Sequence, residues 1–365
     1  MQRIHVIGAG AIGSLVGGRL AQAIGRENVL LVDTDEEQVR AIRDKGLTIE
    51  DCGRKNTRPE TIAVDIATPD KIDKGSLDTL ILATKAYSNE ESLKGLRRDV
   101  RMLVLQNGFD ERLDEFVNAT RGVEFGYACQ VKEPGYVYNA LAGRYIVGRS
   151  GGIEAGTAEW AGMLNKAGIP TVATGAIESW LWSKLLINSA LNPVSALEGY
   201  SFREVIAHRM SRRLFKQLYV EAYPVLSRKS AEHGQKLANI VGSPPIVNLI
   251  LRTPMLSEVM LRLAAEKFGD VESSMLQDIR RGRQTEVHYI NGAIVRLAAL
   301  YGMSTPRHEW VCEQLEGAKG LPASSSPGSR IQDMIEHARA ARRRGDNLRL
   351  VRVCRHDTTS SKETI

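Results

Sequence analysis

Cysteine, histidine and long apolar runs are all scarce in this 365-residue chain. Its four cysteines, Cys52, Cys129, Cys312 and Cys354, are widely scattered, with no Cys-x-x-Cys and no histidine at ligand spacing beside them. That pattern excludes a disulfide framework and a structural zinc site, so reduced thiols and no metal are expected. No apolar run reaches the roughly 18 residues of a membrane span. The longest candidate, Trp180 to Leu197, is interrupted by Lys184, Asn188 and Asn192. Only His5 precedes His208, and no histidine sits in a polar cluster suited to a histidine-based dehydrogenase. The chain opens directly into a strand-like run, so no signal peptide and a cytoplasmic location are expected.

Charge excludes less than it first suggests. The formal net charge is +6, which would suit nucleic acid if it lined a groove. From Arg330 onward, however, nine Lys/Arg oppose five acids, so most of the excess sits in a tail. Such a tail reads as a solvated appendage, and no nucleic-acid partner is expected. With 43% apolar and 25% charged residues the rest is an ordinary globular composition, long enough for two cores.

The most informative stretch that is present runs from Arg3 to Leu20. Ile4–Ile7 leads into Gly8-Ala9-Gly10-Ala11-Ile12-Gly13 and then a helix-like pattern. Twenty residues beyond Gly13, Asp33 closes a second strand-like run, Val29 to Val32. Strand, G-x-G-x-x-G, helix and a spaced acid together form a dinucleotide-binding fingerprint. Gly8 serves the tight turn, Gly10 the approach of backbone N–H groups to a pyrophosphate, and Gly13 the packing of helix on strand. The helix N-terminus adds donors and partial positive charge.

Alternating strand-like and helix-like stretches continue to about residue 175, the signature of a mostly parallel α/β sheet. A helix is expected over Glu36–Lys45. Strands are expected at Thr79 to Ala83, ending in Thr84-Lys85-Ala86, and at Met102 to Leu105, ending in Gln106-Asn107-Gly108. Ligands of open α/β sheets bind beyond the carboxyl ends of strands, where Lys85 and Asn107 fall. Tyr136 to Tyr138 and Arg144 to Val147 suggest a hairpin at the sheet edge. From Ile177 the pattern is helical: Ile177 to Leu191, Phe202 to Gly234 broken at Pro224, Glu258 to Lys267, and Ser274 to Tyr301. The expected organisation is a Rossmann-type doubly wound domain over 1–176, an all-helical domain over 177–320, and a linker with a basic tail over 321–365.

In Trp180-Leu-Trp-Ser-Lys184-Leu-Leu-Ile-Asn188-Ser-Ala-Leu-Asn192-Pro193, three polar residues stand at i, i+4 and i+8 on an otherwise apolar helix. A buried ammonium is costly unless paired, so this stripe reads as a site or as a solvent-facing edge with Lys184 snorkelling. Pro193 is expected to break the helix beside Asn192. Ser273-Ser274-Met-Leu-Gln277-Asp278 is followed by Thr285-Glu286 and Asn291-Gly292. Taken alone, Ser274 reads as a helix N-cap and Glu286 as a partner of Arg283.

Together these motifs resemble the ketopantoate reductase (2-dehydropantoate 2-reductase) family, in order and spacing from Met1 to about Gly317. The resemblance implies a Rossmann domain, a helical domain, an active site between them, and reduction of 2-dehydropantoate to (R)-pantoate in pantothenate and coenzyme A biosynthesis. It implies NADPH or NADH held by Gly8, Ala9, Gly10, Ala11, Ile12, Gly13, Asp33, Lys85 and Asn107. It makes Lys184 the proton donor and Glu286 the acceptor of the substrate's hydroxyl. Asn107, Asn188, Asn192 and Ser274 would bind substrate. A carboxylate at Asp33 suits a free ribose 2′-hydroxyl and repels a 2′-phosphate, which points to NADH. The expected partners are a small 2-oxo acid and, in a homodimer, a second copy of the chain. Competing readings are a D-2-hydroxyacid dehydrogenase for another branched 2-oxo acid and a non-catalytic dinucleotide-sensing regulator.

Overall fold

A computed structural model describes residues 2–52, 58–150, 152 and 154–316, the side chains of 264 and 266–268 excepted. The expected linker and basic tail lie outside the described residues. Two compact units result: Met1–Leu185 with Leu226–Pro244, and Leu186–Val225 with the described part of Pro245–Ile365.

The first unit holds the strands β1 (Ile4–Ile7), β2 (Val29–Val32), β3 (Leu47–Asp51), β4 (Glu60–Ile62), β5 (Asp65–Ala67), β6 (Thr79–Leu82), β7 (Arg101–Val104), β8 (Ala119–Phe125), β9 (Cys129–Glu133), β10 (Tyr136–Asn139), β11 (Arg144–Gly148) and β12 (Thr171–Thr174). Its helices are α1 (Ala11–Ile24), α2 (Glu36–Lys45), α3 (Asn89–Leu93) and α4 (Ala155–Lys166). Eight strands form one sheet in the order β12-β11-β8-β7-β6-β1-β2-β5. From β5 to β8 all neighbours are parallel; β11 then runs antiparallel to β8, with β12 parallel to β11. Every residue of β2 and β6 is buried, as continuous apolar runs require when helices cover both faces of a sheet. Because β1 lies between β2 and β6, the strand order reverses at β1, and open α/β sheets bind ligands beyond the carboxyl end of such a switch point.

A second sheet, β4-β3-β10-β9, covers α1 from its other side. Leu47, Ile49, Ile62 and Val137 of this sheet share one core with Leu15, Val16 and Leu20 of α1 and with Val6 and Leu31 of the main sheet. The expected hairpin is therefore corrected. β10 pairs with β9 and β3 in the small sheet, while β11 pairs with β8 and β12 in the large one. Local alternation could not say which sheet each strand would join.

Helix α5 (Ile177–Glu198) begins in the first unit and ends in the second, followed by α6 (Phe202–Ala207), α7 (Arg209–Glu232), α8 (Pro244–Arg252), α9 (Pro254–Phe268), α10 (Ser274–Arg280), α11 (Val287–Leu300) and α12 (Pro306–Glu316). Three expectations are corrected here. First, the break expected at Pro224 falls instead at His208, between α6 and α7, and α7 runs on through the proline. Second, Ser274 to Tyr301 is two helices. Gly282, at φ 65°, ends α10 in a Schellman motif, with Arg283 N–H donating to Asp278 O at 2.8 Å and Gly282 N–H to Ile279 O at 2.9 Å.

Third, α5 does not break at Pro193. A helical proline deprives the carbonyl four residues back of its donor, here that of Ser189. Asn291 Nδ2 supplies one instead, at 2.8 Å from Ser189 O. The same amide nitrogen lies 3.0 Å from His308 Nδ1, and His308 Nε2 lies 3.1 Å from Leu218 O. An imidazole protonated only on Nε2 satisfies both contacts.

Burial pushes the His308 imidazole down to about 4. Its folded value lies below its unfolded value of 6.5, so the stability it secures is complete above pH 6.5 and lost as pH falls towards 4. Urea denaturation should show a loss of roughly 3 kcal/mol across that window from this group. His308→Leu should start less stable but lose markedly less over the same pH range.

Candidate active site

The glycine loop between β1 and α1 is formed by backbone contacts that only glycine permits. At Gly8, φ is 99°, and a Cβ there would stand 2.7 Å from Thr84 N. On Gly13 a Cβ would stand 1.8 Å from Gly8 O. Gly10 differs: nothing lies within 4 Å of where its Cβ would be. The chain thus closes around Gly8 and Gly13 and leaves space over Gly10, where α1 presents first-turn N–H groups that no helix satisfies internally. A pyrophosphate fits such a cradle, because it brings anionic oxygens to those donors.

Neighbouring side chains hold the loop. Asp33 Oδ2 accepts from Ala9 N–H at 2.6 Å, and Asp33 Oδ1 from Asp35 N–H at 2.9 Å. The buried Gln38 donates to Ala9 O and accepts from Gly135 N–H, both at 2.8 Å. Asp33 is thus at the loop, with Asp35, Glu36 and Glu37 exposed beside it. Ala11 and Ile12 open α1 and are half-buried.

Lys85 and Asn107 lie just past β6 and β7, as expected. A polar cluster that sequence inspection missed ties their two turns together. Gln106 Nε2 donates to Thr84 Oγ1 at 3.0 Å and to Asn89 Oδ1 at 2.6 Å. Asn89, fully buried, donates to Asp110 at 2.8 Å, and Asp110 accepts from Arg112. Asn107 borders a cavity shared with Ala86, Arg121 and Leu181.

On α5 the half-buried positions include Trp180, Lys184 and Asn188, and Asn192 is buried. Lys184 is not snorkelling. Its side chain is only 18% exposed, and Nζ lies 2.9 Å from Glu124 Oε2 on β8. The other oxygen of Glu124 accepts from Tyr127 N–H at 3.0 Å. Burial, reinforced by the Glu124 charge, pushes the Cys129 thiol well above its ordinary range. Cys129 Sγ in turn contacts Ala11 O at 3.3 Å. Lys184, Glu124 and the mouth of the glycine loop therefore share one neighbourhood in the first unit. Glu124 lies 60 positions from Lys184, and no local pattern announces the pair.

In the second unit two contacts draw the remaining residues towards α5. Ser273 Oγ lies 3.2 Å from Asn192 O and accepts from Leu276 N–H at 3.1 Å. The N-cap is thus Ser273, not Ser274 as expected; Ser274 is the first residue of α10 and half-buried. Glu286 is only 2% exposed and stands at the N-cap of α11, whose Asn291 meets Ser189 O. The starts of α10 and α11 are thus fixed to the stretch of α5 that carries Asn188 and Asn192. Among the described residues no His/Cys/Asp/Glu group could hold a metal, and no helix is long and apolar enough to cross a membrane.

Comparison with known proteins extends these observations. Residues 4–152 match the family described as "Ketopantoate reductase PanE/ApbA", and residues 176–319 match "Ketopantoate reductase PanE/ApbA C terminal". A 2-dehydropantoate 2-reductase of Pyrococcus abyssi is 31% identical over 325 residues, covering 87% of this chain and 98% of its own. A solved ternary structure of D-mandelate dehydrogenase with NADH and anilino(oxo)acetate has a TM-score of 0.72 at 24% identity, covering 87% of this chain and 98% of its own. The structure of 2-dehydropantoate 2-reductase from Geobacter metallireducens has a TM-score of 0.68 at 25% identity, covering 87% and 99%.

Gly13→Ala forces its Cβ into Gly8 O and should abolish binding of reduced nicotinamide dinucleotide, read by nicotinamide fluorescence. Unaltered affinity in a variant whose circular dichroism matches the parent would refute the assigned cradle.

Proposed function

Since this chain belongs to the ketopantoate reductase family, we propose that it is an NAD(P)H-dependent 2-dehydropantoate 2-reductase, converting 2-dehydropantoate to (R)-pantoate. The observation that carries the reading is a lysine ammonium, largely withdrawn from water, in the same compact unit and neighbourhood as a dinucleotide cradle. The nicotinamide, when bound, supplies hydride to the keto carbon. Lys184 donates a hydrogen bond to the keto oxygen and then its proton as that oxygen gains charge, and regains a proton from solvent after product leaves. Asn188 and Asn192 hold substrate oxygens. Ser274 binds the substrate carboxylate, and Asn107 contacts substrate or cofactor. Glu286, buried and acidic, accepts from the distal hydroxyl.

Lys184→Ala should lower kcat by about 10²- to 10⁴-fold, the usual worth of a general acid, and near-normal turnover would refute its role. Glu286→Ala separates 2-dehydropantoate from another branched 2-oxo acid as the substrate. A lost charged hydrogen bond is worth about 1.5–3 kcal/mol, so turnover of 2-dehydropantoate should fall by roughly ten- to a hundredfold more than that of 2-oxoisovalerate, which lacks the hydroxyl. Equal losses would favour the D-2-hydroxyacid dehydrogenase reading.

For the cofactor we propose NADH. The Asp33 carboxylate, steadied by two backbone donors, suits a ribose diol. Like charges about 4 Å apart repel by up to a few kcal/mol at an effective dielectric near 20. The ratio of kcat/KM for NADH over NADPH should therefore exceed one and fall at least about tenfold in Asp33→Asn; a ratio unmoved by the substitution would contradict this assignment.

A further inference from the structure

Glu124 makes a direct contact with the proton donor, and it belongs to a different element from every residue assigned above. Its carboxylate is held at both oxygens, by Tyr127 N–H at 3.0 Å and by Lys184 Nζ at 2.9 Å. Both side chains of the ion pair are withdrawn from solvent, at 18% and 19% exposure. An exposed lysine would sample many rotamers and be solvated by water. Here desolvation makes the ammonium costly unless an opposite charge offsets it. Glu124 supplies that charge, and the backbone bond to Tyr127 prevents the carboxylate from following the lysine elsewhere.

We propose that Glu124 is the positioning residue for Lys184, fixing the direction of its ammonium before substrate arrives. The proposal rests on Lys184 being the proton donor of the reduction described above. The proton moves from Lys184 Nζ to the substrate oxygen, leaving a neutral amine beside an unchanged carboxylate. Glu124 neither gives nor takes a proton in the step. The ammonium has three N–H bonds, so one can remain on Glu124 while another faces the substrate.

Two measurements on the full chain test this. The first is kinetic, with 2-dehydropantoate and the preferred cofactor. Glu124→Gln keeps the shape and one acceptor but removes the charge, and Glu124→Ala removes both. Loss of orientation should lower kcat roughly ten- to a hundredfold, more in Glu124→Ala than in Glu124→Gln. KM and cofactor affinity should change much less. In a Lys184→Ala background, Glu124→Ala should cost nothing further, since its effect passes through the lysine. Multiplicative losses in the double variant would overturn the proposal, as would undiminished kcat in Glu124→Ala.

The second measurement needs no turnover. Competitive acylation followed by peptide mass spectrometry reports the reactivity of Lys184 relative to the exposed Lys45. That ratio should rise several-fold in Glu124→Gln, because the amine is released from its partner. An unchanged ratio would overturn the proposal even in an active enzyme. A raised ratio in a protein that reduces no 2-oxo acid would leave Glu124 as the partner that fixes Lys184 and overturn instead the assignment of Lys184 as proton donor.

Discussion

Helix α1 passes so close beneath the first loop that Gly13 and Gly8 share space sufficient for hydrogens alone; a Cβ on Gly13 would lie 1.8 Å from the Gly8 oxygen. Most else in the first unit follows from that approach. It brings α1 down on the main sheet, and the helix is buried from Gly13 to Ala21 because the small sheet closes over it. It sets the start of α1 beside Cys129, close to Glu124 of β8, which pairs with Lys184 of α5. Gln38 and Asp33 then fasten the loop from the side of β2 and α2.

Much of this was legible in the sequence wherever one stretch carried its own signal. The glycine loop, β2 with Asp33, helix Glu36–Lys45, β6 with Lys85 and β7 with Asn107 all depend on neighbours within a few residues. The small sheet was not legible, because its two antiparallel pairs, β3 with β4 and β9 with β10, come from separate parts of the chain and meet only where β3 pairs with β10, over α1. Gly282 was visible, yet helical spacing continued on both sides of it; only the left-handed turn reveals two helices. The proline in α5 misled for the opposite reason. Its penalty is removed by Asn291, about a hundred positions away.

The candidate site follows the same division. Lys184, Asn188 and Asn192 could be found because one helix spaces them, and Ser274 and Glu286 only through the family resemblance, since alone they read as a cap and an ion-pair partner. Glu124, Asn89 and Gln38 could not. Each works across tens of residues, on a group whose own place is set by the fold. The legible residues are those assigned to substrate and cofactor, and the illegible ones hold them still.

Pro193, Asn291 and His308 have a consequence for how this sequence can change. Asn291 answers a carbonyl that only the proline leaves bare, and His308 accepts the second hydrogen of the same amide. An apolar residue at 291 strands that carbonyl while Pro193 remains, but does far less harm once an ordinary residue at 193 restores the helix's own bond. The order of substitution therefore matters: a path that alters Pro193 first stays folded where the reverse path falters. Pro193, Asn291 and His308 thus form one coupled unit on the helix that carries Lys184, and no member can be exchanged without regard to the others.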